Sequence, residues 1–132
     1  MTNLNKEVRK INLSGHFSPQ LEEEGFFFPG ILQLDTSLLE ERGPSGVAEI
    51  VVAWLNENVP VSPDGQIEIA LPGLPILRDI VIAWIHGRTG VFPVTRCPRR
   101  QTDGSFVFDP GLDLQTLRNT CRGNRPGVVR LG

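Results

Sequence analysis

Helix-like segments that carry apolar residues on one face alternate with short strand-like segments, and this alternation constrains the fold most strongly. From Pro44 to Asn58 and again from Leu74 to His86, apolar residues recur at helical spacing. Ser45 or a neighbour is expected to cap the first helix, and Gly87 is expected to end the second as a left-handed cap. Between the helices, Gln66–Leu71 alternates apolar and polar residues as a strand does.

The remaining segments extend the same pattern over the whole chain. Further expected elements are the strands Lys10–Leu13, Ile31–Asp35, Phe92–Thr95 and Ser105–Phe108 and a last helix over Leu112–Cys121. We therefore expect a compact α/β domain, Rossmann-like, with a mostly parallel sheet and helices on both faces. The part from Phe92 to Phe108 can alternatively form an antiparallel hairpin at the sheet edge. One domain is expected over 1–132, with a flexible tail from about 123.

Composition narrows the class of protein. The net charge of −2 argues against a generic polyanion binder and hence against double-stranded DNA as a partner. No apolar run approaches the roughly 20 residues of a membrane span, and Met1–Lys10 lacks the apolar core of a secretory signal, so the cytoplasm is the expected location. Cys97 and Cys121 lack the spacing of a zinc or redox pair and are expected to be reduced thiols. No metal site and no cofactor are predicted.

The first candidate site lies in the loops that follow the first and middle strands. In a parallel sheet, ligands gather at the carboxyl ends of the strands. Ser14, Gly15 and His16 follow the first strand, and Pro72-Gly73 follows the middle one. Gly15 would allow close backbone approach, Ser14 could donate a hydrogen bond, and His16 could contact a phosphate or move a proton. A turn whose histidine packs locally is an equally good interpretation.

The second candidate site is the helix terminus His86-Gly87-Arg88-Thr89-Gly90. Arg88 is the preferred phosphate contact, although a cation at a helix C-terminus also offsets the helix dipole. In a plain strand-helix-strand unit this helix ends at the opposite edge of the sheet from His16. The two sites can then share one ligand only if a second subunit supplies one of them or the loop folds back.

Arginines and phenylalanines offer additional contacts of lower specificity. The last third of the chain is rich in arginine (Arg96, Arg99, Arg100, Arg118, Arg122, Arg125 and Arg130), which permits a local anion site or simply a solvated face. Phe26, Phe27 and Phe28 could stack on bases, but packing in the core or in a dimer is the favoured interpretation.

Four motifs follow one another along the chain: Ile11-Asn-Leu-Ser-Gly-His16, Leu71-Pro-Gly-Leu74, His86-Gly-Arg-Thr-Gly-Val-Phe-Pro93 and Leu112-Asp-Leu-Gln-Thr-Leu-Arg118. In residue type, order and spacing they resemble the motifs of one of the small Csx accessory families of type III CRISPR loci. The stretch from Pro19 to Pro60 and the arginine-rich tail depart from that pattern, so no contact is carried over there.

The resemblance implies a CARF-like domain that forms a homodimer or higher oligomer and takes part in antiviral defence. It implies that the protein binds a cyclic oligoadenylate, foremost cyclic tetra-adenylate. By sequestering this second messenger, the protein would lower its free level. The ligand-binding residues carried over are Ser14, Gly15, His16, Pro72, Gly73, Arg88 and Gly90. Metal-independent ring cleavage is an open hypothesis, in which a ribose 2′-hydroxyl attacks its phosphorus with His16 or His86 as acid or base.

Two other classes of function remain open at this point. One is a protein-interaction module without nucleotide binding, which would use the phenylalanines and the basic tail to bind its partner. The other is a small hydrolase or phosphatase that depends on His16.

Overall fold

The computed structural model describes residues 7–32 and 34–124, which form six strands and four helices. The strands are β1 (Lys10–Asn12), β2 (Glu68–Ala70), β3 (Val94–Arg96), β4 (Pro98–Arg100), β5 (Phe106–Phe108) and β6 (Leu112–Asp113). The helices are α1 (Pro19–Glu23), α2 (Thr36–Asn58), α3 (Pro75–Thr89) and α4 (Leu114–Gly123). The predicted α/β class is confirmed.

The main sheet is mixed, with the strand order β1-β2-β3-β6. Its first three strands are parallel, with Ile11 beside Ile69 and Ile69 beside Thr95, whereas β6 runs antiparallel to β3 at the edge. The largely parallel sheet was therefore predicted correctly. The predicted strand Ser105–Phe108 contributes β5, but β5 pairs with β4 in a separate hairpin. The short strand β4 was not predicted.

Two apolar clusters cover the two faces of this sheet. Side chains of a strand alternate between faces, so Ile69 and Ala70 on β2 belong to different clusters. The larger cluster packs the sheet against α2 and α3, through residues such as Val51 and Val81. Parallel strands in sequential order with right-handed crossovers place their connecting helices on one face. The other face carries the short α1, together with Phe26 and the β4–β5 hairpin.

The segment before α2 corrects one prediction. Of the expected strand Ile31–Asp35, the four described residues form no strand, and Asp35 instead caps α2 by accepting a hydrogen bond from the Ser37 N–H at 3.0 Å. The helix therefore begins earlier than expected. Gly43 interrupts it with φ 70°, and the expected start at Pro44 marks the second part of a kinked helix.

Two helix ends also differ from expectation. Gly87 lies inside α3, and the left-handed residue is Gly90, with φ 80° and an N–H that donates to the His86 carbonyl at 2.8 Å. The prediction for Gly87 was wrong because the helix continues for one more turn. Leu112 was expected in the last helix but pairs with β3, and Asp113 caps α4 through the Thr116 N–H.

The chain end and the cysteines complete the description. Gly123, where the flexible tail was expected to begin, still belongs to α4, and the tail beyond Asn124, including Arg125 and Arg130, lies outside the described residues. Cys97 and Cys121 are both free and exposed. None of the described helices is long and apolar enough to cross a membrane.

Candidate functional site

A cavity of about 440 Å³ lies at the carboxyl ends of β1 and β2. Its lining residues come from the loops after these two strands, from the start of α1 and from the hairpin: Ser14, His16, Phe17, Ser18, Pro19, Leu71, Gly73, Pro98, Ser105, Phe106 and Phe108. Three predicted site residues, Ser14, His16 and Gly73, thus line one cavity. Parallel strands explain this placement, because their carboxyl ends meet at the same edge.

The turn after β1 is held in place by Asn12, a residue that is only 2% exposed. Its Nδ2 donates to the His16 carbonyl at 2.9 Å, and its Oδ1 accepts from the Ser14 N–H at 3.0 Å and from the Ser14 hydroxyl at 2.6 Å. Gly15 provides the left-handed residue of this turn, with φ 85°. Asn12 was outside the predicted site, although a polar residue between the two apolar residues Ile11 and Leu13 is a usable signal.

This network affects the two polar side chains of the turn differently. The Ser14 hydroxyl already donates to Asn12 and accepts from the His16 N–H at 3.3 Å, so its hydrogen atom is engaged within the turn. The His16 imidazole is exposed and makes no hydrogen bond with the described residues. His16 therefore presents ring nitrogens that no described residue engages at the lining of the cavity.

The loop after β2 brings a helix N-terminus to the same edge. Pro72 is buried, whereas Gly73 is exposed, and a Cβ atom on Gly73 would meet nothing within 4 Å. Leu74 is the N-cap of α3 and makes no side-chain hydrogen bond to the first turn. The backbone N–H groups of that turn thus lack a side-chain cap, which is the arrangement that attracts anions.

Two half-exposed aromatic rings line the cavity. Phe17 is 56% exposed and makes an edge contact with Phe28, with 6.1 Å between ring centroids. Phe106 is 54% exposed, whereas Phe108, two residues along β5, is buried. The aromatic surface available to a flat ligand therefore comes from Phe17 and Phe106. The favoured core interpretation is confirmed for Phe26, which is buried and belongs to the smaller cluster.

Arg96 attaches the hairpin to the rest of the domain and is unavailable to a ligand. It is 6% exposed, and its Nε and one terminal nitrogen donate to the carbonyl groups of Asp109 and Phe108 at 2.6 and 3.0 Å. The guanidinium also pairs with the carboxylates of Glu24 at 2.9 Å and Glu68 at 3.1 Å. Hydrogen bonding to Arg96 holds the pKa of the Glu24 carboxyl below its usual value, and the pKa of Arg96 is raised in return, chiefly by Glu24.

Gln20 fixes the same hairpin from α1. Its side-chain amide accepts from the Phe108 N–H at 2.9 Å and donates to the Phe108 carbonyl at 3.0 Å. Together with Arg96, it sets the position of β5 and therefore of Phe106. Both residues were outside the predicted site.

The predicted residues His86, Arg88 and Gly90 lie away from this cavity in the same chain. They end α3, which runs from the carboxyl end of β2 to the amino end of β3. The His86 ring packs on Phe92 with 4.3 Å between centroids, and Arg88 lies over the Trp84 ring at 6.0 Å. One chain therefore does not bring the two predicted sites together. This agrees with the expectation that, in a plain strand-helix-strand unit, the helix ends at the opposite edge of the sheet from His16.

The charge of the cavity limits the ligand. No lysine or arginine lines it, and Arg99, on the neighbouring β4, is exposed and paired with Asp109 at 3.1 Å. A larger depression of about 810 Å³ along β1 is lined by the carboxylates of Glu7, Glu22 and Glu57 and by the cations Arg9 and Lys10, so it offers a phosphate no excess of positive charge. Among the described residues, no group of histidine, cysteine or carboxylate side chains could hold a metal ion. The 440 Å³ cavity thus suits an uncharged, flat group, with any anion at its mouth.

Comparison with known proteins adds no assignment. No protein-family model, no curated protein and no solved structure matches the chain.

Proposed function

We propose that the chain binds a cyclic oligoadenylate, cyclic tetra-adenylate in first place, in the cavity at the carboxyl ends of β1 and β2 and thereby lowers its free concentration. The observation that carries this proposal is the joint presence of Ser14, His16 and Gly73 with two exposed aromatic rings around one cavity. Its volume of about 440 Å³ lies within the range of small-molecule sites. The resemblance of the four motifs to a small Csx family of CARF-like, Rossmann-like proteins supports the same ligand.

The base and the phosphate of a nucleotide each have a counterpart at this site. Phe17 and Phe106 offer faces on which an adenine can stack, which contributes about 1–3 kcal/mol per base in proteins that bind single strands. The uncapped N-terminus of α3 and the exposed His16 can receive a phosphate at the mouth. A cavity without lysine or arginine favours the base inside and the phosphates outside.

The size of the ligand favours more than one copy of the chain per ring. A ring of several nucleotides exceeds one cavity of this volume, so part of it stays outside the first chain and remains accessible to another. A second copy could then supply its own cavity or the residues His86, Arg88 and Gly90, which the first chain keeps away from His16. A homodimer or higher oligomer is therefore part of the proposal.

Ring cleavage requires only a proton acceptor and a proton donor besides correct alignment. The ribose 2′-oxygen would bond to the adjacent phosphorus while the bond from phosphorus to the 5′-oxygen breaks. The 2′-hydroxyl proton passes to a base, and a proton is returned to the departing 5′-oxygen, which leaves a 2′,3′-cyclic phosphate and a 5′-hydroxyl. His16 can take one of these roles, and His86 of another copy can take the other.

Calorimetry with cyclic tetra-adenylate tests binding. We expect saturable heat, and we expect Phe17→Ala or Phe106→Ala to weaken binding about tenfold or more. Ile31→Ala serves as the matched control, because Ile31 is also half-exposed (55%) but does not line the cavity. The absence of heat with the unmodified chain would refute the proposal and favour a protein-interaction module.

Product analysis then separates the two modes of action. Recovery of intact ring at stoichiometric protein indicates sequestration, whereas linear products over many turnovers indicate an enzyme. If the chain cleaves the ring, His16→Gln should lower the rate about 100-fold or more while binding persists. Hydrolysis of simple phosphoesters without ring binding would instead favour a small phosphatase.

A further inference from the structure

The outer edge of β5 carries backbone groups that do not bond to β4. Across the hairpin, the Asp109 N–H donates to the Cys97 carbonyl at 3.2 Å. Opposed residues of an antiparallel ribbon alternate between bonded and non-bonded pairs, so Phe108 and Phe106 belong to non-bonded pairs. The N–H and carbonyl groups of these two phenylalanines therefore point away from β4, to the same side of the ribbon.

Gln20 shows which kind of group this edge binds. Its amide oxygen accepts from the Phe108 N–H at 2.9 Å, and its amide nitrogen donates to the Phe108 carbonyl at 3.0 Å. The N–H and carbonyl of Phe106 repeat this pair two residues earlier, and no side chain of the described residues bonds to them. Phe106 therefore leaves open a site for a group that carries an acceptor and a donor side by side.

This open pair lies beside the cavity of about 440 Å³ at the carboxyl ends of β1 and β2. Phe106 lines the cavity, as does Pro19, which directly precedes Gln20 in the chain. The edge that Gln20 covers at Phe108 therefore continues along the cavity at Phe106. On β4, the outward groups of Arg100 lie on the other edge of the hairpin, and Arg100 does not line the cavity. The location at the cavity thus distinguishes the pair of Phe106.

A single open pair suits a small planar ligand better than an extended peptide. A peptide that adds to a strand edge is held by main-chain hydrogen bonds to several alternate residues of that strand. On one side of Phe106, Gln20 already occupies the groups of Phe108. On the other side, the Gly104 N–H donates to the Gln101 carbonyl at 3.0 Å within the turn. Along the described edge, one donor and one acceptor remain, which matches the edge of a single base.

We infer that the Phe106 N–H and carbonyl recognise the adenine of the proposed ligand through its N1 and N6 atoms. Adenine presents an acceptor at N1 beside a donor at N6, which is the pattern of the Gln20 amide. Guanine and hypoxanthine present a donor at N1 beside an acceptor at O6, so both hydrogen bonds would be lost. Because the side chains of a strand stand roughly perpendicular to it, a base held at this edge turns one face towards the side of the Phe106 ring. The inference rests on the proposed function and adds the group that selects the base.

Calorimetry of the unmodified chain with base-modified rings tests the inference. The ring with hypoxanthine in place of each adenine keeps the sugars, the phosphates and the purine shape but reverses the donor and the acceptor. It should bind about tenfold to 100-fold more weakly than cyclic tetra-adenylate, because a bidentate contact discriminates between bases by about that factor. A ring of 1-deaza-adenine loses the acceptor and should bind about tenfold more weakly. A ring of 7-deaza-adenine keeps N1 and N6 and is the matched control, which should bind as cyclic tetra-adenylate does.

Phe106→Ala and Phe106→Pro test the backbone groups from the protein side. Both substitutions remove the aromatic ring, but only proline also removes the N–H donor. Proline is compatible with an edge strand where the N–H points away from the partner strand. Both variants should bind cyclic tetra-adenylate more weakly than the unmodified chain. Phe106→Ala should keep the preference for the adenine ring over the hypoxanthine ring, whereas Phe106→Pro should reduce that preference to about threefold or less.

The outcomes separate this inference from the proposed function. Equal affinity of the unmodified chain for the adenine and hypoxanthine rings overturns the inference and leaves the binding of cyclic tetra-adenylate standing. A 7-deaza ring that binds more weakly than the 1-deaza ring also overturns it, because recognition then uses N7 instead of N1. A full preference in Phe106→Pro, shown to be folded by circular dichroism, overturns it as well; if this variant does not fold, the ring comparison decides alone. The absence of binding to any of the rings refutes the proposed function itself, and the inference with it.

Discussion

Replacing Arg96 by methionine should destabilise the domain far more than the same change at Arg99. Arg96 is 6% exposed and serves two carboxylates and two backbone carbonyl groups. Its loss leaves the Asp109 carbonyl without this donor, which costs about 1–3 kcal/mol when such a group is buried. The Phe108 carbonyl keeps the hydrogen bond from Gln20, so its contribution is small.

The two carboxylates add a smaller amount. The side chains of Glu24 and Glu68 are 37% and 25% exposed, so water can replace part of what Arg96 provides, and we assign about 0.5–1 kcal/mol to each. The total is about 3 kcal/mol. For a domain of this length, about 4 °C per kcal/mol converts this to a fall in Tm of about 12 °C.

Thermal unfolding followed by circular dichroism measures the effect. Arg99→Met removes an exposed ion pair, with Arg99 60% and Asp109 43% exposed, and should lower Tm by no more than about 4 °C. Because Arg96 lowers the folded-state pKa of Glu24, this part of the stability is present near neutral pH and is lost as the pH falls through the titration of that carboxyl. The gap between Arg96→Met and the unmodified chain should therefore narrow as the pH falls below 4.5, the ordinary pKa of a glutamate carboxyl. Equal effects of the two substitutions would refute this account.

Two further substitutions test local geometry. Asn12→Ala removes the hydrogen bonds that Asn12 makes to Ser14 and His16, and it should lower the free energy of unfolding in urea by about 2 kcal/mol. It should also weaken the binding of any ligand in the cavity. Ser37→Ala, which removes an exposed hydrogen bond to the cap residue Asp35, should cost less than half as much. Gly90→Ala should destabilise by about 1 kcal/mol because φ is 80° there, whereas Gly87→Ala should stabilise the monomer by up to about 1 kcal/mol. A loss of stability at Gly87 equal to that at Gly90 would show that the helix ends earlier than described.

Periodicity predicted the parts of this fold that depend on burial. One side of each of these elements packs against the core, so their apolar residues recur at a regular spacing in the sequence. This spacing predicted the apolar faces of α2 and α3 and the strand around Ile69. Parallel strand geometry alone predicted that the Ser14–His16 turn and Gly73 lie at the same edge of the sheet. These features require no knowledge of distant partners.

The missed features depend on contacts between residues distant in sequence. From the sequence, Arg96 was interpreted as one of several surface arginines. Its partners Glu24 and Glu68 lie 72 and 28 residues away along the chain, so no local pattern indicates the contacts. The strand β4 begins with proline and has no buried residue, so it carries no apolar pattern. The end of α3 was misplaced because two glycines, Gly87 and Gly90, both satisfied the sequence rule for a left-handed cap. Only the geometry of the chain separates them.

The paired hydrogen bonds of Gln20 to Phe108 have a consequence for how the protein behaves at high concentration. A side-chain amide that accepts from a backbone N–H and donates to the carbonyl of the same residue occupies the position of an adjoining strand. The segment Phe106–Phe108 is aromatic, β-branched and at the margin of a two-stranded ribbon, which is the kind of sequence that recruits foreign chains. Gln20 blocks that template at Phe108, whose carbonyl also accepts from Arg96. A substitution that removes the Gln20 acceptor would leave the Phe108 N–H open to intermolecular β-sheet growth on that side.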